Sequence, residues 1–430
     1  MSKKRYYISD YIPHKGQIEF HRAKEKEVVV ISAIRSGKSY AVIYDSIVNS
    51  WNDNSGFGTL ITAPTYRLVD TVLERQIVNR LEYFGLLHSH SFSRHETTLK
   101  NGNLIYYRSL EDPDLALRGL NISRAYIDEA AYCSKYAVDV VKGRLLTTNG
   151  QLKIISTPAG LNNWLYQDYF SKGQLSGVRY IRFSIYDNPI ITAEAVKRLE
   201  QSYDPLLFKQ EVLGEWVNLF NNQVYYSFSE DNITYYEYDQ TQPVYIGLDF
   251  NIDKNAWCAI QKLPDNRFVV FYEGYGAKTT ADVGRQIIEK FGYQPIIVPD
   301  ATGNNRIQGV AQTNIQLLRQ TGLNRIVENN RNPDRLKRYA IVNATLQNAL
   351  GQRRLLIDSR CTETIRELRE LSFKPGTDRP DDKNNEVGHR TDALGYALTY
   401  LTGNKIGQIN SPSEDFYSAW RKKYNAYKNY

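Results

Sequence analysis

The chain has 430 residues, with 54 Lys and Arg against 47 Asp and Glu and a net charge of +7. At roughly 150 residues per domain this length predicts two or three domains, and 42% hydrophobic with 23% charged residues excludes a largely disordered chain. No apolar run approaches the roughly 18 residues of a membrane span, the first ten residues hold no apolar signal core, and three scattered cysteines (Cys133, Cys258, Cys361) make neither a disulfide framework nor a zinc pattern.

In chain order, 27–32 (EVVVIS) predicts a buried strand, followed by a glycine turn and an apolar-periodic helix over 39–51. A second strand is expected at 58–63, then a helix to about residue 84, then strands at 125–128 and 152–156. This alternation predicts a mostly parallel α/β sheet. Residues 219–243 are polar and tyrosine-rich and read as a connector. A second α/β block follows, with three consecutive strands at 243–249, 256–261 and 268–272. A helix is expected at 280–291, a fourth strand at 295–298, and helices at 335–350, 362–371 and 391–401. The expected plan is 1–218, a connector at 219–243, a second domain at 244–405, and a basic, aromatic tail at 406–430. The basic excess is spread evenly: 1–218 hold 27 basic and 23 acidic residues, the rest 27 and 24. That excess and the 33 tyrosines are compatible with nucleic-acid binding and do not establish it.

The segment Ser32-Ala-Ile-Arg35-Ser36-Gly37-Lys38-Ser39 follows a strand and opens a helix. That is the setting of a phosphate-binding loop. The turn aims backbone N–H groups at phosphates, and the helix N-terminus adds favourable partial charge. There Lys38 reaches the β- and γ-phosphates and Ser39 offers its hydroxyl to Mg²⁺. Ser32 stands where the usual pattern begins with glycine, and a GKS tripeptide alone is equally a chance surface turn. The second signal is Asp128-Glu129, which ends a strand about ninety residues later. In that place Asp128 holds the metal through water and Glu129 orients the attacking water. Alone it is an ordinary acidic pair at a helix start; with GKS it predicts nucleotide hydrolysis with Mg²⁺, and the resemblance given below makes the nucleotide ATP. Ser156-Thr157-Pro158 closes the next strand, where helicase-like ATPases sense the γ-phosphate, or where an ST-turn meets a proline stop.

The second block carries Asp249 near the end of its first strand, Asp300 after its fourth, and Asp392 at a helix head. Each alone is a turn former or a cap. Together they make a ribonuclease-H-like set, whose acids converge on two Mg²⁺ or Mn²⁺ ions that activate water and stabilise a leaving oxygen. His389 lies three residues before Asp392 and faces the same way on a helix. It is a candidate ligand or proton donor, or a surface histidine. Asp253 is a weaker fourth acid.

In this order, the motifs resemble those of the large terminase subunit of tailed double-stranded DNA bacteriophages, over nearly the whole chain. Ile34 to Ser39 resembles the family's P-loop, where an arginine such as Arg35 is usual. Gln17, in His14-Lys-Gly-Gln17, resembles its adenine-contacting glutamine. Ala63-Pro64-Thr65-Tyr66-Arg67 resembles the segment after its second strand. Leu117-Arg118-Gly119-Leu120 resembles the region of its arginine finger, which makes Arg118 the candidate and Arg124 the alternative. Ser156 and Thr157 match its coupling motif, and 208–216 its end-of-ATPase signature. Asp249, Asp300 and Asp392 match its nuclease acids, and His389 a histidine that some members carry.

The resemblance implies a P-loop ATPase domain followed by a ribonuclease-H-like nuclease domain. It implies a ring, a pentamer docked on the portal of a procapsid, with a monomeric isolated chain. It implies translocation and cleavage of concatemeric duplex DNA in the host cytoplasm, with a small terminase subunit selecting the DNA and no membrane partner. Residues 306–338 hold seven basic residues, of which Arg306, Arg331, Arg335, Lys337 and Arg338 are candidate phosphate contacts. The alternative is a solvated helix face. The polar stretch 374–388 is expected to be a flexible loop or hairpin near the nuclease site, placed to gate access to it. Two other functions stay open: a repair or defence helicase-nuclease, which lacks support from any second ATPase domain, and a DNA-binding scaffold with vestigial acids.

Overall fold

The computed structural model describes residues 11–218, 223–251, 255–304, 312–329, 331–374, 379–381 and 387–403. The chain forms two compact units. One contains the described residues up to 192 and 206–218; the other contains 193–205 and the described residues from 223 on. The boundary expected at 218 thus differs in detail: Ala193–Ser202 is a helix whose segment belongs to the second unit. The expected connector also differs. From residue 223 it belongs to the second unit and supplies an edge strand, because Asn232 Nδ2 donates to the buried carbonyls of Leu346 and Leu355 (both 2.9 Å).

The first unit is an eight-stranded sheet. Its strands are β1 (Glu27–Ser32), β2 (Gly58–Ala63), β3 (Leu87–Ser91), β4 (Glu96–Leu99), β5 (Leu104–Ser109), β6 (Ile122–Ile127), β7 (Gln151–Ser156) and β8 (Val178–Phe183). They lie in the order β3-β4-β5-β2-β6-β7-β1-β8. The central pairings are parallel; β3, β4 and β5 form an antiparallel edge. The centre is covered on both faces, so its strands read as continuous apolar runs: Val28, Val29 and Val30 are wholly buried. The edge strands were not expected, since LHSHS and ETTL are polar and hold few β-branched residues. Two helices bracket the loop after β1: α1 (Lys15–Arg22) and α2 (Lys38–Asn52). The helix expected up to residue 84 is present but interrupted, with a π-helical turn at Val69–Glu74 before Arg75–Tyr83.

The second unit is a six-stranded sheet of β9 (Ile233–Thr234), β10 (Val244–Asp249), β11 (Asn255–Lys262), β12 (Phe268–Ala277), β13 (Ile296–Pro299) and β14 (Leu355–Asp358), ordered β13-β10-β11-β12-β14-β9. β10, β11 and β12 form an antiparallel meander, and β13 lies parallel to β10. Helices α3 (Arg335–Leu346), α4 (Thr362–Glu370) and α5 (His389–Leu401) follow. This is the expected ribonuclease-H-like arrangement. Gly247 explains how α5 reaches the sheet: a Cβ there would lie 2.1 Å from Ala393 O. Only a glycine lets the helix press on β10 at that point. Asp253, Arg306, most of 374–388 and the tail at 406–430 lie outside the described residues.

Candidate active sites

The loop, the acidic pair and the Ser156-Thr157 motif of the phosphate-site reading lie at the carboxyl ends of neighbouring parallel strands, the usual ligand edge of such sheets, with Gln17 approaching from α1. Ser32 ends β1, Asp128 and Glu129 follow β6, and Ser156 ends β7. Gly37 caps α2 with φ of 88°, and Arg35 sits at 53°. Substituting Gly37 would be strained twice over, since a Cβ would also lie 2.7 Å from Gln17 Nε2. The loop is held from behind. Gln17 Nε2 donates to Gly37 O at 2.9 Å, His14 Nε2 lies 2.9 Å from Ser36 O, and Asn188 Nδ2 donates to Arg35 O at 2.7 Å. The backbone of Ile34 donates to Glu211 O at 2.7 Å. The buried hydroxyls of Ser32 and Ser36 have no hydrogen-bond partner among the described residues, as expected of groups lining a polar ligand site.

The functional side chains interlock. Lys38 Nζ lies 3.0 Å from Glu129 Oε1, and Ser39 Oγ donates to Asp128 Oδ2 at 2.6 Å. Thr157 donates to Glu129 Oε2 from its hydroxyl (3.0 Å) and its backbone N–H (3.3 Å). Ser156 Oγ accepts from Ala131 N–H at 3.1 Å. Glu129 occupies the left-handed region at φ 52°. Such a conformation costs on the order of 1–3 kcal/mol in a non-glycine residue and collects at functional sites. Burial, reinforced by neighbouring Glu129, pushes the Asp128 carboxyl up to about 6; Lys38 and Ser39 pull it down. Ser39 and Asp128, already joined, are a fitting oxygen pair for Mg²⁺.

The two arginine-finger candidates are placed differently. Arg118 is exposed, beside Gly119 at φ 76°. Arg124 sits inside β6, four residues before Asp128 and toward the opposite end of the strand. Asn188 was missed in the sequence, and His14 and Glu211 were seen only as parts of the Gln17 and 208–216 motifs, with no role of their own. Only His14 left a signal of its role, since it stands at capping-box distance from Gln17.

In the second unit, register gathers the acids. Leu248 pairs with Pro299, which sets Asp249 beside Asp300, and Asp300 N–H donates to Leu248 O at 3.0 Å. Helix α5 brings in Asp392. Burial pushes the Asp249 carboxyl up to about 6, with Asp392 and Asp300 adding repulsion and the His389 hydrogen bond opposing them. Asp300 and Asp392 are also raised, chiefly by burial. His389 Nδ1 lies 3.1 Å from Asp249 Oδ2, and Asn251 hydrogen-bonds both Asp249 and His389. The head of α5 is fixed by buried Glu367 on α4, which accepts from the N–H groups of Arg390 (3.0 Å) and Thr391 (3.1 Å).

One expectation is corrected here. Arg338 was read as a DNA contact, yet it is buried and its Nη2 lies 2.8 Å from Asp392 Oδ1, with the guanidinium over the Tyr396 ring. Its neighbours Arg331 and Arg335 are exposed and Lys337 is half-buried. Among the described residues no three His, Cys, Asp or Glu side chains form a group that could hold a metal ion as they stand. The donor set still fits hard divalent ions, because Asp300 Oδ1 is buried with no hydrogen-bond partner among the described residues.

Comparison with known proteins finds phage terminases. Residues 30–233 match the family model of the N-terminal part of the T4-like-virus type large terminase subunit. The terminase large subunits of Thermus phage G20c and Thermus virus P23-45 are each 29% identical over 198 residues. That match covers 41% of this chain, and the chain spans 40% of each relative. The fold of a large terminase from a thermophilic bacteriophage superposes with a TM-score of 0.63 at 17% identity, covering 90% of this chain and 99% of that one. Its ADP complex gives 0.61, also at 17% identity, covering 90% of this chain and 99% of that one. Residues 30–233 therefore match the N-terminal family of phage large terminase subunits, and the chain as a whole shares the fold of a solved large terminase.

Proposed function

We propose that the chain hydrolyses ATP in its first unit to drive duplex DNA through a portal, and cuts that DNA in its second. The observation that carries this reading is the interlocked set Lys38–Glu129 and Ser39–Asp128 around a strained, glycine-capped loop. The solved relative in complex with ADP supports nucleotide as the ligand.

In this reading the loop's N–H groups bind the β-phosphate and Lys38 exchanges Glu129 for phosphate oxygens. Freed from Lys38, Glu129 stays aimed by Thr157 and accepts a proton from the attacking water. Mg²⁺, held by Ser39 and Asp128, supplies charge neutralisation on the phosphates. Arg118 serves a neighbouring subunit's nucleotide, which its exposure allows. In the second unit Asp249, Asp300 and Asp392 hold divalent ions, which supply activation of water and neutralisation of the leaving oxygen. His389 orients Asp249. Arg331, Arg335 and Lys337 remain candidate contacts to DNA phosphates. Assembly as a ring on a procapsid portal in the host cytoplasm, with a small subunit choosing the DNA, belongs to the same proposal.

The test is Mg-ATP turnover by the full chain. Glu129→Gln should slow the rate by about 10²–10⁴-fold while nucleotide binding survives. Unchanged turnover would remove the ATPase assignment.

A further inference from the structure

A concavity of about 830 Å³ opens at the edge of the first sheet opposite the phosphate site. Its lining comes from the amino-terminal ends of the same strands: Lys26 precedes β1, Arg124 lies early in β6, and Gln151 starts β7. It carries His21, Arg22, Lys24, Lys26, Arg124 and Lys153 against one lining carboxylate, Asp53. Lys153 and His21 both pair with buried Asp45, at 2.8 and 2.9 Å. The positive charge at the opening therefore comes from Arg22, Lys24, Lys26 and Arg124. Arg124 Nε is buried and has no hydrogen-bond partner among the described residues, a state that a buried donor does not hold without cost.

The walls are braced before any ligand arrives. Gln151 Nε2 donates to Ala23 O (3.0 Å) and Glu25 O (2.9 Å), and Thr148 Oγ1 donates to Ile122 O (2.7 Å). Ser123 Oγ donates to Asp53 Oδ2 at 2.5 Å, holding that carboxylate to the wall. Among the described residues no Phe, Tyr or Trp lines the concavity, so none of them stacks a base there. Cations without a stacking surface suit phosphodiester oxygens and sequence-independent contact.

We infer that this concavity is a second DNA-handling surface, which binds the backbone phosphates of duplex DNA through Arg22, Lys24, Lys26 and Arg124. The inference rests on the reading that the chain acts on duplex DNA. It assigns Arg124 to DNA and leaves the finger role to Arg118.

The test is duplex binding by the full chain, read as fluorescence anisotropy of a labelled duplex across a salt series. Arg22→Glu/Lys24→Glu changes two exposed side chains outside the phosphate site, and its ATP turnover without DNA should match wild type. Its affinity should fall at least about tenfold, and the slope of log K against log salt should drop by about two. Lys100→Glu/Lys172→Glu makes the same charge change on exposed positions of the same unit and should keep the wild-type slope. Equal loss in both pairs, or none in the first, overturns the inference. Inorganic pyrophosphate at constant ionic strength should fail to displace the duplex; displacement at micromolar concentration would mark a small-anion site and also overturn it. A wild type that binds no duplex would sink the DNA reading itself, whereas binding unaffected by Arg22→Glu/Lys24→Glu sinks only this surface.

Discussion

The two candidate sites solve opposite electrostatic problems. At the phosphate site Lys38 and Glu129 neutralise each other and Ser39 binds Asp128, so the machinery is assembled before nucleotide arrives. At the second site three carboxylates are gathered by strand register and α5, burial raises the affinity of each for protons, repulsion adds to this at Asp249, and Arg338 pairs with Asp392. The first site is closed by its own ion pair. The second is incomplete without added positive charge. Opposite charges in low dielectric fix geometry, whereas like charges there demand a cation or a proton.

The strongest way to break this contrast is Lys38→Ala. It removes the phosphate contact and leaves Glu129 unpaired, and steady-state ATP turnover should fall by about 10³-fold. A loss below tenfold would mean that Lys38 serves structure only. Next is Asp300→Ala, which removes the carboxylate of this site whose buried Oδ1 has no hydrogen-bond partner among the described residues. Plasmid nicking with Mn²⁺ should fall by about 10²-fold or more, while nicking at the wild-type rate would dissolve the carboxylate site. A smaller effect is expected from Thr157→Val. It deletes one hydrogen bond to Glu129, worth about 1 kcal/mol, so turnover should drop about five- to tenfold with little change in KM for ATP. A large KM effect instead would place Thr157 on nucleotide binding.

The smallest effect concerns pH. The folded Asp249 carboxyl is raised to about 6, above its unfolded value of about 3.9. An acid raised in this way burdens the fold only where it must ionise: the cost is absent below about pH 4, grows through the interval to about 6, and is full above it. Without divalent ions, Asp249→Asn should therefore melt higher than wild type by about 2–4 °C at pH 7, and the two should converge near pH 4. Added Mg²⁺ or Mn²⁺ should narrow the gap at pH 7. A gap that widens on acidification would reverse the sign and contradict the contrast.

Much of this was legible because chemistry here follows strand ends. EVVVIS followed by a glycine turn located the phosphate loop, and acids after buried runs located Asp128, Asp249 and Asp300. What stayed hidden depends on contacts between distant segments. Nothing in the sequence tells that Arg338 folds inward onto Asp392 while Arg331 and Arg335 stay outside. Glu367 holds the head of α5 from another helix, and Asn188 grips Arg35 from 153 residues away. The polar edge strands β3 and β4 also escaped notice, since an edge needs only one apolar face. Gly247 looked like any strand glycine until α5 was seen pressing on it.

The central claim is that one chain carries two chemically separate sites. It is tested most directly by crossing two variants with two assays, measuring Mg-ATP turnover and Mn²⁺-dependent plasmid cleavage on wild type, Lys38→Ala and Asp300→Ala. Lys38→Ala should lose turnover and still cleave, and Asp300→Ala should lose cleavage and still hydrolyse ATP. If either substitution abolishes both activities in a folded chain, or if wild type shows neither, the two-site account is wrong.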